Sequence, residues 1–178
     1  FRTHGITRAS DRLQKRDEGP WFYEQQELGY NYRITDIQCA LGSAQLTRLD
    51  GNLTRRRSIA RQYKEAFSRM EGVIPYPLSD ENASAWHLYM LQLDLARLSC
   101  TRKSFYEAMR AENIGVNVHY VPVHLHPYYQ RLGYQKGSCP VAEAYYERII
   151  TLPMLHSMTD DDVQDVIHAV DKLSNWYC

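Results

Sequence analysis

Three histidines that lie close together are the residues of this sequence most suited to chemistry. His119, His124 and His126 fall within residues 119–126, and imidazole nitrogens are frequent zinc ligands. No cysteine or carboxylate stands beside them at a spacing that would complete a zinc site. Pro122 and Pro127 stiffen the same stretch. We therefore expect no bound metal and interpret the stretch as a rigid loop that lines a ligand pocket.

Four residues at the start of this stretch are candidate substrate-binding residues: Asn117, Val118, His119 and Tyr120. If residues 115–120 form a strand, alternation places Asn117 and His119 on one face and Val118 and Tyr120 on the other. Imidazole and phenol groups can form hydrogen bonds with sugar hydroxyls or with a diphosphate. The alternative is a core strand whose polar groups are satisfied within the protein.

Asn31 and Arg33 are candidate phosphate ligands, because they stand just before a predicted helix. Amide and guanidinium groups near a helix N-terminus can donate hydrogen bonds to phosphate oxygens. For Asn31 the alternative is an ordinary asparagine turn ahead of a helix. For Arg33 the alternative is an ion pair or a contact that positions the loop.

The helix that follows Arg33 has a clear start, since Thr35 and Gln38 form a capping-box pattern. The apolar residues at helical spacing are Ile34, Ile37, Leu41 and Ala44. The repeat resumes after Gly51. Residues 34–70 are therefore predicted to form two helices, or one helix bent near Gly51.

Beyond residue 70 the pattern predicts helices that alternate with a few strands. Strands are expected where apolar residues alternate, and helices where they recur every three or four positions. Thr159 is a natural N-cap with three aspartates in the turn that follows. The predicted elements are a strand at 86–95, a helix at 101–112, a strand at 115–120, a helix at 140–150 and a helix after Thr159. The fold class is α+β, with helices packed on a small, mainly antiparallel sheet.

The composition excludes several classes of protein. The 178 residues include 21 basic and 21 acidic side chains, so the formal net charge is zero. Balanced charge argues against nucleic acid and anionic membranes as partners, and residues 55–57, three arginines, are interpreted as a solvated helix face. No apolar run approaches the roughly 20 residues that a membrane span needs. Four widely spaced cysteines without a C-x-x-C pair are typical of a cytoplasmic protein.

Three segments in this order resemble the DegT/StrS family of sugar aminotransferases. They are Leu28-Gly-Tyr-Asn-Tyr-Arg-Ile-Thr-Asp-Ile-Gln-Cys-Ala-Leu-Gly42, Gly115-Val-Asn-Val-His-Tyr-Val-Pro-Val-His124 with its continuation to Gln130, and Leu152-Pro-Met-Leu-His-Ser-Met-Thr-Asp-Asp-Asp-Val163. Phe1-Arg-Thr-His-Gly5 matches a segment that the family carries after its active-site lysine. The resemblance therefore covers the whole chain. Within the family it points to the UDP-4-amino-4,6-dideoxy-N-acetyl-beta-L-altrosamine transaminases of pseudaminic acid biosynthesis.

The resemblance implies a fold, a reaction and a cofactor. The fold is the C-terminal small domain of the aspartate-aminotransferase (type I PLP) fold. The reaction is amino transfer from glutamate to a 4-keto sugar nucleotide, with pyridoxal 5'-phosphate (PLP) as cofactor. The resemblance also implies a homodimer in which Asn31 donates to the phosphate of the cofactor in the other subunit. Residues 117–120 would line the sugar-nucleotide pocket.

The resemblance places the Schiff-base lysine upstream of Phe1, so no catalytic residue is expected here. The lysines present are Lys15, Lys64, Lys103, Lys136 and Lys172, and none has the desolvated or cation-flanked setting that lowers a lysine pKa. We therefore expect a C-terminal fragment that is inactive alone, with a connector at 1–33, a linking helix or helix pair at 34–70 and the small domain at 71–178. The alternative is a stand-alone sugar-nucleotide-binding or dimerisation module without catalysis.

Overall fold

Helices alternate with short strands along the chain, whose residues 1–15, 18–77 and 84–178 are described by a computed structural model. The elements are β1 (Ile6–Thr7), β2 (Glu24–Gln25), α1 (Asp36–Leu46), α2 (Leu49–Phe67), β3 (Val73–Ile74), β4 (Tyr89–Leu93), α3 (Arg102–Ala111), a 3-10 turn (Val123–Leu125), α4 (Pro127–Arg131), α5 (Pro140–Arg148), β5 (Ile149–Leu152) and α6 (Asp160–Tyr177). The chain divides into a first unit, Phe1–Leu49, and a second unit, Asp50–Cys178. The fold class is α+β, as predicted.

The second unit is built on a three-stranded antiparallel sheet with the order β3-β4-β5. Tyr89 of β4 pairs with Leu152 of β5, and Leu91 pairs with Ile150. Alternate residues of β4 are buried, beginning with Tyr89, while those between them are half-buried. This alternation confirms the predicted strand and its apolar face.

Helix α6 starts and packs as the sequence predicts. Thr159 Oγ1 accepts a hydrogen bond from the backbone N–H of Asp162 (3.1 Å), and Asp162 Oδ2 accepts one from the N–H of Thr159 (2.7 Å). The Thr159 backbone N–H holds the pKa of Asp162 below its ordinary value. The apolar residues that recur at helical spacing along α6 are buried. They are Val163, Val166, Ile167, Val170 and Leu173.

Aromatic rings form the centre of the core of the second unit. Tyr63 and Phe67 of α2 stack at 5.4 Å between ring centroids, and Tyr63 meets the edge of Tyr89 at 5.1 Å. The Tyr63 hydroxyl donates to the Pro153 carbonyl at 3.0 Å. Burial raises the pKa of Tyr63 well above its ordinary range. Because Pro153 follows β5 directly, this bond fixes the end of that strand.

Two predicted elements differ in the structure. Residues 115–120 do not form a strand, because only Asn117 pairs with a neighbour, in a single antiparallel bridge to Thr151. The predicted helix at 140–150 ends at Arg148, and its last two positions open the strand β5. All four residues of β5 are buried, so its apolar run does not alternate and resembles the end of a helix in sequence.

The helix pair at 36–67 breaks at Thr47 and Arg48, whereas Gly51 lies inside α2. Thr47 Oγ1 donates to the Ala44 carbonyl at 2.8 Å, which closes the end of α1. Thr35 and Gln38 form the predicted capping box. None of the described side chains of the first unit is buried, so the apolar face of α1 lies on its surface.

No helix in the described ranges combines the length and apolar character that crossing a bilayer requires.

Candidate functional site

Two glycines bring the start of the chain against the segment that carries Asn31. The backbone N–H of Tyr30 donates to the carbonyl of Phe1 at 2.8 Å. Gly5 has a φ of +69°, and a Cβ at Gly5 or Gly29 would overlap backbone atoms of the facing segment. Only glycine allows so close an approach. The segment Phe1–Gly5 and the start of the Leu28–Gly42 segment therefore pack directly against each other.

Asn31 and Arg33 lie at the end of this pairing, just before α1. The Asn31 side chain is exposed and has no hydrogen-bond partner among the described residues. Nη2 of Arg33 is 3.4 Å from Nε2 of His4, so one edge of the guanidinium is occupied and the rest is free to donate. An amide and a guanidinium at the start of a helix are chemically suited to a phosphate.

Residues 117–120 are positioned by β5. Asn117 and Thr151 exchange two backbone hydrogen bonds, at 3.1 and 2.7 Å. His119 Nδ1 is 3.0 Å from Thr151 Oγ1, and His119 Nε2 is 3.4 Å from Asn117 Nδ2. Asn117 and His119 thus share one side, as alternation predicted. Val118 is half-buried, and Tyr120 is 69% exposed.

His124 has a different setting from His119. Its Nε2 is 2.8 Å from Glu143 Oε1, and the two residues are 8% and 6% exposed. The same carboxylate accepts from the backbone N–H groups of Gly137 (2.8 and 2.9 Å) and Cys139 (3.2 Å). The bond from His124, and then those two N–H groups, lower the pKa of Glu143. Glu143 therefore ties the 3-10 turn to the start of α5.

The three histidines considered for a metal have separate surroundings. His119 contacts Thr151, His124 contacts Glu143, and His126 is the exposed residue that precedes α4. Among the described residues, no group of three or more histidine, cysteine or acidic side chains could hold a metal ion.

Sequence reasoning missed Thr151 and Glu143. Thr151 gives no signal in the sequence, because the apolar run of β5 resembles the end of a helix. Nothing in that pattern indicates that the Thr151 hydroxyl lies beside His119. Glu143 had one visible signal, since an acidic residue in the first turn of a helix that begins at Pro140 is well placed to accept from backbone N–H groups.

A separate cleft of about 640 Å³ opens in the second unit beside α6. It contains none of the predicted site residues. The Lys172 ammonium lies 2.7 Å from a carboxylate oxygen of Glu112, so the cation in its lining is already paired.

Comparison with known proteins agrees with the motifs. Residues 1–171 match the model of the DegT/DnrJ/EryC1/StrS aminotransferase family. This chain belongs to that family. The spore coat polysaccharide biosynthesis protein SpsC of Bacillus subtilis is 44% identical to this aminotransferase-family chain over 169 residues, which are 94% of this chain and 43% of SpsC.

Solved structures of sugar aminotransferases share the fold of this family member. Spr1654 of Streptococcus pneumoniae, in its PMP form, superposes with a TM-score of 0.83 at 30% identity, over 98% of this chain and 43% of that one. Helicobacter pylori PseC, an aminotransferase of pseudaminic acid biosynthesis, gives a TM-score of 0.84 at 26% identity, over 99% and 45%. The chain thus spans less than half the length of each of these three relatives.

Spr1654 has been solved in PLP and PMP forms, so the donors of this chain can be compared with the needs of a cofactor phosphate. Asn31 and Arg33 offer donors of the kind that bind a phosphate. Three lysines of the second unit are exposed and lie 2.7 to 3.7 Å from the carboxylates of Glu107, Glu147 and Glu112. These are Lys103, Lys136 and Lys172. A Schiff-base lysine needs a desolvated or cation-flanked setting, and these three lysines lie in solvent beside carboxylates.

Proposed function

We propose that this chain supplies the C-terminal part of a PLP-dependent aminotransferase that moves an amino group from glutamate to a 4-keto sugar nucleotide. The observation that carries the proposal is the Asn31 amide. It is exposed, without a partner among the described residues, and lies five residues before the first residue of α1, inside the segment that resembles the family. An ordinary asparagine turn would use that amide to bond its own backbone.

The two groups of candidate residues have separate tasks in this proposal. When bound, PLP supplies the electron sink that makes amino transfer possible. Asn31 and Arg33 donate to its phosphate and so fix the position of the cofactor. Residues 117–120 line the sugar-nucleotide pocket, with the exposed Tyr120 and the half-buried His119 as hydrogen-bonding groups.

We further propose a homodimer in which Asn31 serves the cofactor of the other subunit. The first unit supports this, because several large apolar side chains of its helix and of the segment before it are exposed, and such surfaces in soluble proteins are often interfaces. They are Leu28, Tyr30, Tyr32, Ile34, Ile37 and Leu41. The free thiols of the four cysteines support a cytoplasmic location, where thiols stay reduced.

The isolated chain is expected to bind no PLP covalently, because we propose that the lysine that attacks the cofactor is not among its five. The measurement is PLP addition, borohydride reduction and peptide mapping. Labelling should be no stronger in the folded chain than in the urea-unfolded chain, in which every lysine is solvated. Selective labelling of one lysine in the folded chain would show that the catalytic lysine is present after all.

Replacing Asn31 with Ala in the complete aminotransferase should weaken PLP retention roughly tenfold, as expected for one lost hydrogen bond to a charged group. Retention is measured by dialysis followed by absorbance of the bound cofactor. Asn175→Ala is a matched control, because Asn175 is exposed on α6. Equal retention in Asn31→Ala and the control would rule out the phosphate role.

The sugar is tested with a panel of 4-keto nucleotide sugars that includes the substrate of pseudaminic acid biosynthesis. The resemblance in sequence favours that substrate, and the PseC superposition is consistent with it. The higher identity with SpsC makes other 4-keto sugars necessary members of the panel. Amination of none of them, with PLP bound, would refute the proposed reaction.

A further inference from the structure

The His119 ring is held from both of its nitrogens, and the two contacts are unequal. Nδ1 lies 3.0 Å from the hydroxyl oxygen of Thr151, whereas Nε2 lies 3.4 Å from the amide nitrogen of Asn117. Thr151 is only 4% exposed and sits on β5. The strand therefore provides a rigid support behind the ring, and the Nε2 side is held loosely.

The orientation of the Asn117 amide indicates which nitrogen carries the proton, and the shorter contact to Thr151 is the one that holds the proton there. Asn117 Oδ1 accepts a hydrogen bond from the backbone N–H of Val118 at 2.8 Å. The amide NH₂ group must then be the one that faces His119 Nε2. Because an NH₂ group only donates, Nε2 has to accept, and the proton of a neutral ring lies on Nδ1. Nδ1–H consequently donates to Thr151 Oγ1.

We propose that Thr151 is a positioning residue that keeps His119 in its neutral Nδ1–H form, so that Nε2 presents a hydrogen-bond acceptor to a hydroxyl of the sugar-nucleotide substrate. This inference rests on the proposed function for the identity of the ligand. Thr151 does not touch the ligand. It acts through the ring, as partners behind a functional histidine commonly do.

The arrangement selects among the polar groups of a sugar nucleotide. A hydroxyl can donate to Nε2 and replace the long contact from Asn117. A phosphate or keto oxygen can only accept, and would face a lone pair.

The form of the ring is measured without ligand, by nitrogen NMR of the imidazoles in the chain. His119 is assigned from the signal lost in His119→Asn. We expect a protonated Nδ1 and an unprotonated Nε2 in the parent sequence, a shift toward the Nε2–H form in Thr151→Val, and its reversal in Thr151→Ser. A dominant Nε2–H form in the parent sequence, or no change in Thr151→Val, would overturn the proposal.

The consequence for binding is measured in the complete aminotransferase. Thr151→Val should raise KM for the nucleotide sugar roughly fivefold, the effect of one lost neutral hydrogen bond, with kcat little changed and Thr151→Ser near the parent value. Thr54→Val is the control, since the exposed Thr54 hydroxyl only bonds its own helix, at 2.8 Å from the Asp50 carbonyl. An unchanged KM in Thr151→Val would overturn the link between Thr151 and the ligand.

The two measurements separate this inference from the proposed function. If the complete protein aminates no sugar nucleotide while NMR shows the Nδ1–H form and its dependence on Thr151, the proposed function fails and the role of Thr151 behind the ring stands. If amination occurs and the NMR shows the Nε2–H form, the inference alone fails.

Discussion

Replacing Tyr63 with Ala is expected to lower the free energy of unfolding of the chain by about 3–5 kcal/mol, as for other large aromatic residues in cores. Tyr63 is fully buried, stacks on Phe67 at 5.4 Å and meets Tyr89 at 5.1 Å. Its removal leaves a cavity at the centre of the aromatic cluster. It also removes the hydrogen bond to Pro153, which follows β5. The measurement is urea unfolding followed by circular dichroism.

Two further variants separate packing from hydrogen bonding at Tyr63. Tyr63→Phe keeps the ring and removes only the hydroxyl, so it should cost about 0.5–1.5 kcal/mol. Tyr128→Ala removes a ring that is 60% exposed, and should change stability by no more than about 0.5 kcal/mol. If Tyr63→Ala is no more destabilised than Tyr128→Ala, the aromatic cluster is not the centre of the core.

The local signals of the sequence were enough to predict much of the second unit. The cap at Thr159, the stripe on α6 and the alternation around Tyr89 depend on residues within one element, and all three are present. Each of these patterns has a local physical cause, which is a backbone N–H that needs an acceptor or an apolar face that needs burial.

The contacts that build the candidate site join residues that are far apart in the sequence. Thr151 meets His119 across 32 positions of the chain, and Glu143 meets His124 across 19. No periodicity encodes such a pair, because each partner fits its own element equally well without the other. The prediction that residues 117–120 belong to a site came from the resemblance to a family. Their support by β5 could come only from the structure.

Helix α1 shows a second way in which local patterns mislead. Its apolar residues have the spacing of a buried stripe, yet Ile37 is 82% exposed and Leu41 is 61% exposed. Periodicity indicates that a helix face is suited to burial, but it does not identify the surface that covers the face. In the proposed homodimer this face would have a partner.

Replacing Glu143 with Leu is expected to lower the unfolding temperature of the chain by several degrees, because one carboxylate serves three donors. His124 Nε2 and the backbone N–H groups of Gly137 and Cys139 all lose their acceptor in this variant. The loss is costly chiefly at His124, which is 8% exposed, because a buried donor without an acceptor destabilises the fold. Glu143→Gln keeps one carbonyl oxygen and should fall between the parent and Glu143→Leu. The measurement is thermal unfolding followed by circular dichroism.

The stabilisation by Glu143 should also depend on pH, and the direction of its pKa shift determines whether it is lost at low or at high pH. The pKa of Glu143 in the folded chain lies below its ordinary value of 4.5, chiefly because of the bond from His124. A carboxylate with a lowered folded pKa stabilises the protein above its unfolded pKa and loses that effect as the pH falls through the folded value. The stability difference between the parent and Glu143→Gln should therefore shrink as the pH falls below about 4.5.

Glu147→Gln is the matched control, since Glu147 lies one turn further along α5 and pairs with Lys136 in solvent at 3.4 Å. Exposed pairs of this kind contribute little, so this variant should unfold within about 1 °C of the parent. A difference between the parent and Glu143→Gln that stays constant from pH 7 to pH 3 would show that the charge of Glu143 does not stabilise the fold. A Glu143→Leu variant as stable as Glu147→Gln would show that the 3-10 turn is held by other contacts. Two residues separate that turn from residues 117–120, so if the proposed function holds, its loosening in Glu143→Leu should also raise KM for the nucleotide sugar.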